Sequence, residues 1–228
     1  MVLHEANMKR KFIGKYMRLA KQVGEDKNPC YSRKIGVVIV RAYDDGSGRV
    51  LGTGYNGPPR GTPHCDALEY LESIFWPQLD PVEKAKAVNA AKAREADPNN
   101  PPNFYYAGGT DDEAQCKYVC GHFAGTKTCP RKIIGAPSGK RLELCSCAHA
   151  ETNAIVNSTD DLHGAYMFCW CGVPCVECTK LTINAGIKKV YTIDWGADYS
   201  VGSRWLFEQA GVEVICLPPE YYLSEDEE

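Results

Sequence analysis

The chain has 228 residues, of which 44% are hydrophobic, and a formal net charge of -3. This length suits one sizeable core with a small appended module, and the charge gives no global indication of a nucleic-acid partner. No run approaches the roughly 18 apolar residues that a membrane span needs, and His4 and Glu5 stand too early for a secretory signal, so we expect a cytoplasmic protein without a membrane partner.

The first third of the chain predicts one helix and a hairpin. Apolar side chains at helical spacing predict a helix over residues 5–24, whose basic face we assign to solvent. Strand-like runs follow at 35–43 and 49–56, and the sequence DDGSG between them has hairpin-turn chemistry. The segment GYNGPPRGTPHC, at 54–65, is too rich in glycine and proline for regular structure.

The middle third is less regular, and we interpret residues 66–144 as an insertion. Residues 66–98 are polar and alanine-rich and are predicted to be helical, whereas the Cys-rich region 104–147 shows little periodicity. We expect that second part to be rich in loops and to need a covalent or metal link for stability.

Regular alternation returns in the last third. Three helices are predicted at 149–157, 174–186 and 203–211, and three strands at 165–170, 188–194 and 212–217. Alternating helices and apolar strands imply α/β layering around one sheet. We therefore expect a single domain over 1–217 that carries the insertion, followed by an acidic tail at 218–228 whose end, SEDEE, is disordered.

Twelve cysteines are many for such a chain. Several stand in C-x-C, C-x2-C or C-x3-C pairs, and this spacing lets thiolates converge on one ion. Since the chain is long for a disulfide-stapled secreted protein, the pattern favours zinc over disulfides.

The segments CAHAETNAI (147–155) and VPCVEC (173–178) predict a metal site made by His149, Cys175 and Cys178. Cysteines three apart at a helix start lie one turn apart on one face, and the positive end of the helix favours their thiolates. Three protein ligands leave a fourth tetrahedral position open, as in catalytic zinc sites, whereas a structural zinc would need a fourth protein ligand.

Glu151, two residues after His149, is the predicted catalytic residue. A carboxylate beside the metal can take a proton from water and pass it to a substrate. The joint pattern H-x-E and P-C-x-x-C is typical of zinc-dependent nucleobase deaminases. A cytosine substrate needs this help, because hydroxide attacks C4 while N3 and the departing amine must each gain a proton.

The chain resembles the deoxycytidylate deaminases, including phage-type and bacterial competence-operon members. The segments that carry the resemblance are NPCYSRKIGVVIVR, GYNGPPRGTPHC, CAHAETNAIVNS and VPCVECTKLTINAGIKKVYTID. The resemblance implies a cytidine-deaminase-like three-layer α/β/α fold with a central five-stranded mixed sheet. It also implies that dCMP is converted to dUMP for thymidylate synthesis, in the host cytoplasm if the chain is phage-encoded.

The resemblance further implies a substrate site and a mode of control. Asn56 would hold the deoxyribose, Arg33 the phosphate with Lys34 as second candidate, and Ala150 and Tyr199 would make further substrate contacts. Many members are homo-hexamers that dCTP activates and dTTP inhibits, with Mg²⁺, and the GYNG loop makes similar control an expectation here. The passage FCWCGVPC is one residue longer than is usual in the family.

The remaining cysteines suggest further zinc sites. By resemblance to members with an additional structural zinc, Cys30, Cys65, Cys145 and Cys147 would form a closed tetrahedral site, in which His64 could replace one sulfur. A second cluster has the spacing C-x3-C-x-H-x6-C and comprises Cys116, Cys120, His122 and Cys129. Buried free thiols are the alternative for both sets, and sharing with Cys145 and Cys147 is another for the second. Cys169, Cys171 and Cys216 fall in strand-like runs and are expected to be small core residues.

Other functions stay open at this point. The substrate could be another cytosine compound, such as dCTP, cytidine, a 5-substituted dCMP or a nucleic acid, although the charge and the lack of an aromatic-basic groove weigh against the last. A different class is a non-catalytic, zinc-bearing nucleotide sensor. Such a protein would have no use for a glutamate beside an open metal position.

Overall fold

The computed structural model describes residues 2–99, 109–137, 139–194 and 201–223, with side chains from residue 10 onward except those of residues 27 and 223. The chain forms two compact units. The first, which we call the sheet unit, comprises Met1–Pro29, Arg33–Gly57 and Ala148–Glu228; the second, the cysteine-rich unit, comprises Cys30–Ser32 and Pro58–Cys147. The predicted single domain over 1–217 stays a prediction, and the predicted insertion falls within the cysteine-rich unit.

The elements follow each other closely along the chain. The strands are β1 (Gly36–Ala42), β2 (Gly48–Tyr55), β3 (Tyr166–Cys169), β4 (Lys189–Ile193) and β5 (Glu213–Leu217). The helices are α1 (Val2–Lys27), α2 (Leu68–Tyr70), α3 (Pro81–Glu95), α4 (Asp112–Phe123), α5 (Pro130–Ile133), α6 (Ala150–Val156), α7 (Val176–Asn184), α8 (Val201–Gln209) and α9 (Pro219–Leu223). In this described part of the chain, no helix combines the length and the apolar character needed to cross a membrane.

The five strands form one mixed sheet in the order β2-β1-β3-β4-β5. Strand β1 is antiparallel to both β2 and β3, with Val38 opposite Phe168, whereas β3, β4 and β5 run parallel to one another. The predicted five-stranded mixed sheet is confirmed, and each of its strands lies within one or two residues of its predicted position.

Helices cover both faces of this sheet. Along β1, Val37 and Ile39 pack against α6 and the helices α7 and α8, while Val38 and Val40 face α1 and α9. This alternation follows from the two-residue period of a strand, which points successive side chains to opposite faces. The predicted three-layer α/β/α arrangement is therefore confirmed.

Two glycines of β2 allow α6 to lie directly on the sheet. A Cβ atom at Gly54 would stand 2.1 Å from the carbonyl oxygen of Ala150 and 2.3 Å from the amide nitrogen of Ala154. A Cβ at Gly52 would stand 2.5 Å from the Ala154 carbonyl oxygen. Any larger residue would hold the helix away, so the sequence G-x-G in β2 fixes the height of α6 above the sheet.

The cysteine-rich unit has a hydrophobic core of its own, to which Phe75, Val119 and Leu144 contribute fully buried side chains. Helix α2 continues through a π-helical turn (Leu71–Phe75) and a 3-10 turn (Trp76–Gln78) toward α3, in agreement with the helical prediction for 66–98. The loop-rich prediction for 104–147 is wrong for α4, a 12-residue helix capped by the Asp111 side chain. Six consecutive residues of α4, from Tyr118 to Phe123, are buried, so no amphipathic period marks it in the sequence.

The predicted acidic tail begins with a helix that belongs to the core. Tyr222 in α9 is fully buried, its hydroxyl donates to the Thr192 carbonyl over 2.9 Å, and Arg18 of α1 donates to the Tyr222 carbonyl. The segment SEDEE, predicted to be disordered, lies outside the described residues.

Candidate metal and catalytic site

Two helix starts in the sheet unit carry the predicted metal ligands. His149 and Cys175 are the N-cap residues of α6 and α7, with extended backbones (ψ 153° and 164°). Their carbonyl groups accept the amides of Asn153 and Thr179, the first hydrogen bonds of each helix. An N-cap side chain lies outside the helical turn, so both ligands are free to point away from their helices.

The structure brings His149, Cys175 and Cys178 together. Their ligand atoms all lie within 4.8 Å of one another, and Nδ1 of His149 is 3.4 Å from each of the two sulfurs. Tetrahedral zinc with ordinary Zn–N and Zn–S bonds would separate nitrogen from sulfur by about 3.6 Å. The imidazole and the two thiols therefore fit a zinc ion with little movement, and Nδ1 is the nitrogen that faces it.

The environment of the two sulfurs favours negative charge on Cys175. The pKa of its thiol is lowered, because the Cys178 thiol hydrogen-bonds to it and His149 lies next to it. The pKa of Cys178 is raised by the same bond, in which it is the donor. A bound cation would favour the anionic form of both sulfurs, since metal coordination deprotonates thiols.

Glu151 faces this cluster from the first turn of α6. Its side chain is buried, and burial raises the pKa of the carboxyl group, while the nearby His149 opposes that rise. The thiol of Cys178 is within hydrogen-bonding reach of the carboxylate. A buried carboxyl group of raised pKa beside a metal site suits both acceptance and release of a proton.

Asn56 and Ala150, two predicted substrate contacts, are joined to each other. The Ala150 amide donates to Oδ1 of Asn56 over 2.9 Å, and both residues are buried. This bond fixes the orientation of the Asn56 side-chain amide. Its Nδ2 group is then the end that could donate a hydrogen bond to a ligand. Ala150 itself is fully buried, so its methyl group packs in the core and only its amide, shared with Asn56, could meet a substrate.

Arg33, the predicted phosphate ligand, is exposed and lies within electrostatic reach of the Cys171 thiol. Cys171 in turn lies within reach of Glu151 and Cys175, which places Arg33 on the same side of the sheet unit as the cluster. The ammonium of Lys34, the second candidate, donates to the Asn28 carbonyl over 2.7 Å. Tyr199, the remaining predicted contact, lies outside the described residues.

Cys169 and Cys171 are core residues, as predicted, but the sequence analysis does not predict that they lie near Glu151. Both are buried, their thiols are within hydrogen-bonding reach of each other, and both lie within electrostatic reach of Glu151. The spacing C-x-C-x3-C-x2-C, which connects these two cysteines to Cys175 and Cys178, is the sequence signal that could have indicated this proximity. Cys216 on β5 is half-buried.

In the cysteine-rich unit, the four cysteines predicted for a structural zinc lie near one another, but among the described residues only His149, Cys175 and Cys178 have ligand atoms at metal-binding spacing. The Cys147 thiol is within hydrogen-bonding reach of the thiols of Cys145, Cys30 and Cys65. His64 lies next to Cys65, but its Nδ1 is 3.0 Å from the Asp66 carboxylate and 3.6 Å from the Cys65 sulfur. We call the set of Cys30, Cys65, Cys145 and Cys147 the thiol cluster.

The other predicted cluster is not assembled as one site. Cys116 and Cys120 pair on α4, with their sulfurs 3.8 Å apart. His122, two residues further, points roughly 200° around the helix from Cys120, and its Nδ1 bonds the Tyr118 carbonyl. Cys129 lies instead near Cys65 and Cys145. The expectation for these four residues fails because α4 is a regular helix that separates its histidine from its cysteines.

Comparison with known proteins assigns the chain to a family. The sequence profile described as "Cytidine and deoxycytidylate deaminase zinc-binding region" matches residues 10–194, a span that includes both halves of the site.

Similar proteins include the deoxycytidylate deaminase of Schizosaccharomyces pombe, 26% identical over 90% of this chain and 44% of that protein. The deoxycytidylate deaminase of Enterobacteria phage T4 is 26% identical over 83% of this chain and 81% of its own length. The human deoxycytidylate deaminase is 43% identical over 28% of this chain and 38% of its own. This chain thus spans less than half the length of the fission yeast relative.

Among solved structures, the dCMP deaminase of cyanophage S-TIM5 in apo form aligns with a TM-score of 0.47 at 19% identity, covering 90% of this chain and 97% of that one. The family assignment itself comes from the profile match, which extends over most of the chain. The chain belongs to the cytidine and deoxycytidylate deaminase family.

Proposed function

We propose that this protein hydrolyses dCMP to dUMP and ammonia. The observation that carries the proposal is a buried glutamate, Glu151, facing one imidazole nitrogen and two sulfurs that fit a zinc ion. Relatives named deoxycytidylate deaminase support the choice of substrate, since they match this chain on both sides of the site.

The residues of the site divide the chemistry between them. His149, Cys175 and Cys178 would hold zinc, which supplies a Lewis acid and a water of lowered pKa. Glu151 takes the proton of the attacking water and gives it to N3 of the cytosine ring, which makes C4 more electrophilic. The same carboxylate then takes the proton of the hydroxyl group now on C4 and passes it to the departing amine, so that the carbonyl forms and ammonia leaves. Burial keeps bulk water from competing for these protons.

The nucleotide would extend from the metal toward Arg33. Asn56, oriented by the Ala150 amide, would offer its Nδ2 group to an oxygen of the deoxyribose. Arg33 would meet the phosphate, since a guanidinium can donate two parallel hydrogen bonds to phosphate oxygens. Lys34 suits this task less well, because an ammonium is a point charge without the paired donors of a guanidinium.

A substrate panel tests the proposal. The purified chain is incubated with dCMP, dCTP, cytidine, a 5-substituted dCMP and a cytosine-containing oligonucleotide, and loss of cytosine absorbance is followed. We expect the highest kcat/KM for dCMP. Turnover of the oligonucleotide alone would contradict the nucleotide substrate and indicate a nucleic-acid deaminase. A zinc-loaded protein that turns over none of these substrates would be a sensor.

Glu151→Gln tests the proton shuttle. The amide cannot accept the proton, so we expect kcat to fall by about 10²–10⁴-fold or more while zinc content and unfolding temperature stay unchanged. Glu177→Gln is the matched control, because Glu177 occupies the first turn of α7 but is exposed and pairs with Lys180. Normal turnover by Glu151→Gln would refute the assignment.

Regulation and assembly follow the family resemblance as part of this proposal. We propose that dCTP activates and dTTP inhibits the enzyme, each with Mg²⁺, that the active form is a homo-hexamer, and that it supplies dUMP for thymidylate in the cytoplasm. The GYNG sequence is what supports effector control. Rates measured with and without each nucleotide, together with the mass of the particle in solution, check these statements.

We also propose that the thiol cluster holds a second, structural zinc. The proximity of four thiols around Cys147 supports this, as does the Ser32 amide, which donates to the Cys30 sulfur over 3.5 Å. Four sulfur ligands would close the coordination shell and leave no position for water. Metal analysis should then return more than one zinc per chain.

A further inference from the structure

Thr152, the residue after Glu151, contacts one of the two sulfurs of the metal site. Its Oγ1 atom lies 3.7 Å from the Cys178 sulfur, within hydrogen-bonding range of a sulfur acceptor. Cys178 is only 2% exposed, and the same sulfur is 3.4 Å from Nδ1 of His149. His149 and Thr152 stand three residues apart, so both lie on the side of α6 that faces α7. Helix α6 therefore meets the Cys178 sulfur with two side chains.

The Thr152 hydroxyl must be the donor in this contact once a metal is bound. A cysteine that binds zinc is a thiolate and has no proton to give, whereas a hydroxyl can both donate and accept. A threonine inside a helix can instead donate to the carbonyl four residues earlier. Here that carbonyl belongs to Ala148 and accepts the Gly57 amide over 3.3 Å, while the Thr152 hydroxyl is placed against the Cys178 sulfur.

A hydrogen bond to a metal-bound sulfur changes the properties of that ligand. The donor withdraws negative charge from the thiolate, so the metal keeps more of its positive charge, and the sulfur is held in one orientation. Burial of Cys178 strengthens this effect, because little water competes for the sulfur. The hydroxyl of one threonine can thus adjust how strongly the site polarises a bound water.

We propose that Thr152 is a positioning residue of the metal site, whose hydroxyl donates to the Cys178 sulfur and limits the charge that this sulfur gives the metal. The inference rests on the proposed function, because it takes His149, Cys175 and Cys178 as the ligands of the catalytic zinc. Since Thr152 follows Glu151 directly, the same bond ties the helix that carries the proton shuttle to the helix that carries the two sulfurs.

Replacing the hydroxyl by a methyl group of similar shape tests this. Thr152→Val removes the donor, and Thr152→Ser keeps it. Each full-length variant is loaded with Co²⁺, whose charge-transfer band with thiolates reports the energy of the sulfur electrons. The spectrum of a chain with Cys175→Ser and Cys178→Ser is subtracted, which removes cobalt held by other cysteines. We expect the band to move to longer wavelength in Thr152→Val and to stay in place in Thr152→Ser.

Two further variants make the result specific. Thr152→Ala also lacks the hydroxyl and should move the band in the same direction as valine does. Thr182→Val is the matched control, because Thr182 is a buried threonine that donates to the Cys178 carbonyl over 2.8 Å rather than to the sulfur. Its band should not move. Equal shifts in Thr152→Val and Thr182→Val would reflect a general disturbance of α7 and would overturn the role of Thr152.

The zinc-loaded variants give a second measurement. Loss of an outer partner of a metal ligand costs about 10–100-fold in metal affinity or activity. We expect zinc affinity, measured by competition with a chelator, and kcat to fall in Thr152→Val by about 10-fold each, at the lower end of that range. KM for dCMP should stay unchanged, because the hydroxyl bonds the sulfur and not the nucleotide, and Thr152→Ser should restore both lowered values.

The outcomes separate this inference from the proposed function. A band shift in Thr152→Val from a chain that turns over no cytosine compound would keep the role of Thr152 and contradict deamination. Turnover of dCMP, with the same band and zinc affinity in Thr152→Val as in the unsubstituted chain, would keep the function and overturn the role of Thr152. A chain whose His149, Cys175 and Cys178 bind neither cobalt nor zinc would overturn both.

Discussion

Replacing Gly54 by alanine should disable the site without touching any of its side chains. The added Cβ would lie 2.1 Å from the carbonyl oxygen of Ala150, whereas ordinary contact begins at about 3.4 Å. The atoms that it meets belong to the backbone of α6, so no side chain can rotate away. Helix α6 must therefore lift from β2 by about 1.3 Å, the difference between these distances.

This displacement has two calculable effects. Overpacking of this kind costs about 1–3 kcal/mol of folding stability, which corresponds to roughly 2–4 °C in unfolding temperature per kcal/mol for a chain of this length. His149 and Glu151 move with α6 while Cys175 and Cys178 stay on α7. Since a shift of about 1 Å in catalytic geometry can cost about 100-fold in rate, we expect kcat/KM for dCMP to fall by about that factor.

Steady-state kinetics with dCMP, thermal unfolding and zinc content measure these effects together. Gly202→Ala is the matched control, because its Cβ would meet only the Val176 side chain at 3.5 Å and it lies in the helix α8. The control should be neutral or more stable by about 0.5–1 kcal/mol. If Gly54→Ala keeps the kcat/KM and unfolding temperature of the unsubstituted chain, α6 is not held at the height that the structure gives it.

Two further predictions concern the phosphate site and the core. Arg33→Ala should raise KM for dCMP by about 10–100-fold with little change in kcat, because hydrogen bonds to charged groups contribute about 1.5–3 kcal/mol. Lys34→Ala should leave KM unchanged, and equal effects of the two substitutions in steady-state kinetics would argue against a specific phosphate contact. Tyr222→Phe should lower the free energy of unfolding by about 1–3 kcal/mol in a denaturant titration, since it leaves the buried Thr192 carbonyl without this donor. Its kcat/KM should not change, and an unchanged stability would show that α9 does not support the sheet.

The sheet unit could be predicted from the sequence because its elements carry strong local signals. The apolar run at Val37–Val40 and the turn sequence after Ala42 mark the hairpin, and Gly186 and Gly211, both at positive φ, mark the ends of helices. The candidate site residues could be proposed for a related reason. His149 and Glu151 lie two residues apart at one helix start and Cys175 and Cys178 three apart at another, so each pair is local and only the meeting of the two helices depends on the fold.

The cysteine-rich unit could not be predicted in the same way. Helix α4 is buried on most sides, so apolar and polar residues do not alternate along it. The sequence spacing groups Cys129 with His122, but the chain turns between them, with Lys127 at a φ of 56°. Residues that are close in sequence need not be neighbours in space when a turn of this kind separates them.

The chain leaves and re-enters the sheet unit at adjoining residues. Gly57 and Ala148 form an isolated antiparallel bridge, with hydrogen bonds in both directions. Topologically, Pro58–Cys147 is therefore the tip of an enlarged hairpin. Because the entropy of closing a loop grows only slowly with its length, such a tip can gain or lose many residues at small cost to the sheet. Length variation between relatives should concentrate there, and a short connection from Gly57 to Ala148 is the natural starting point for building the sheet unit by itself.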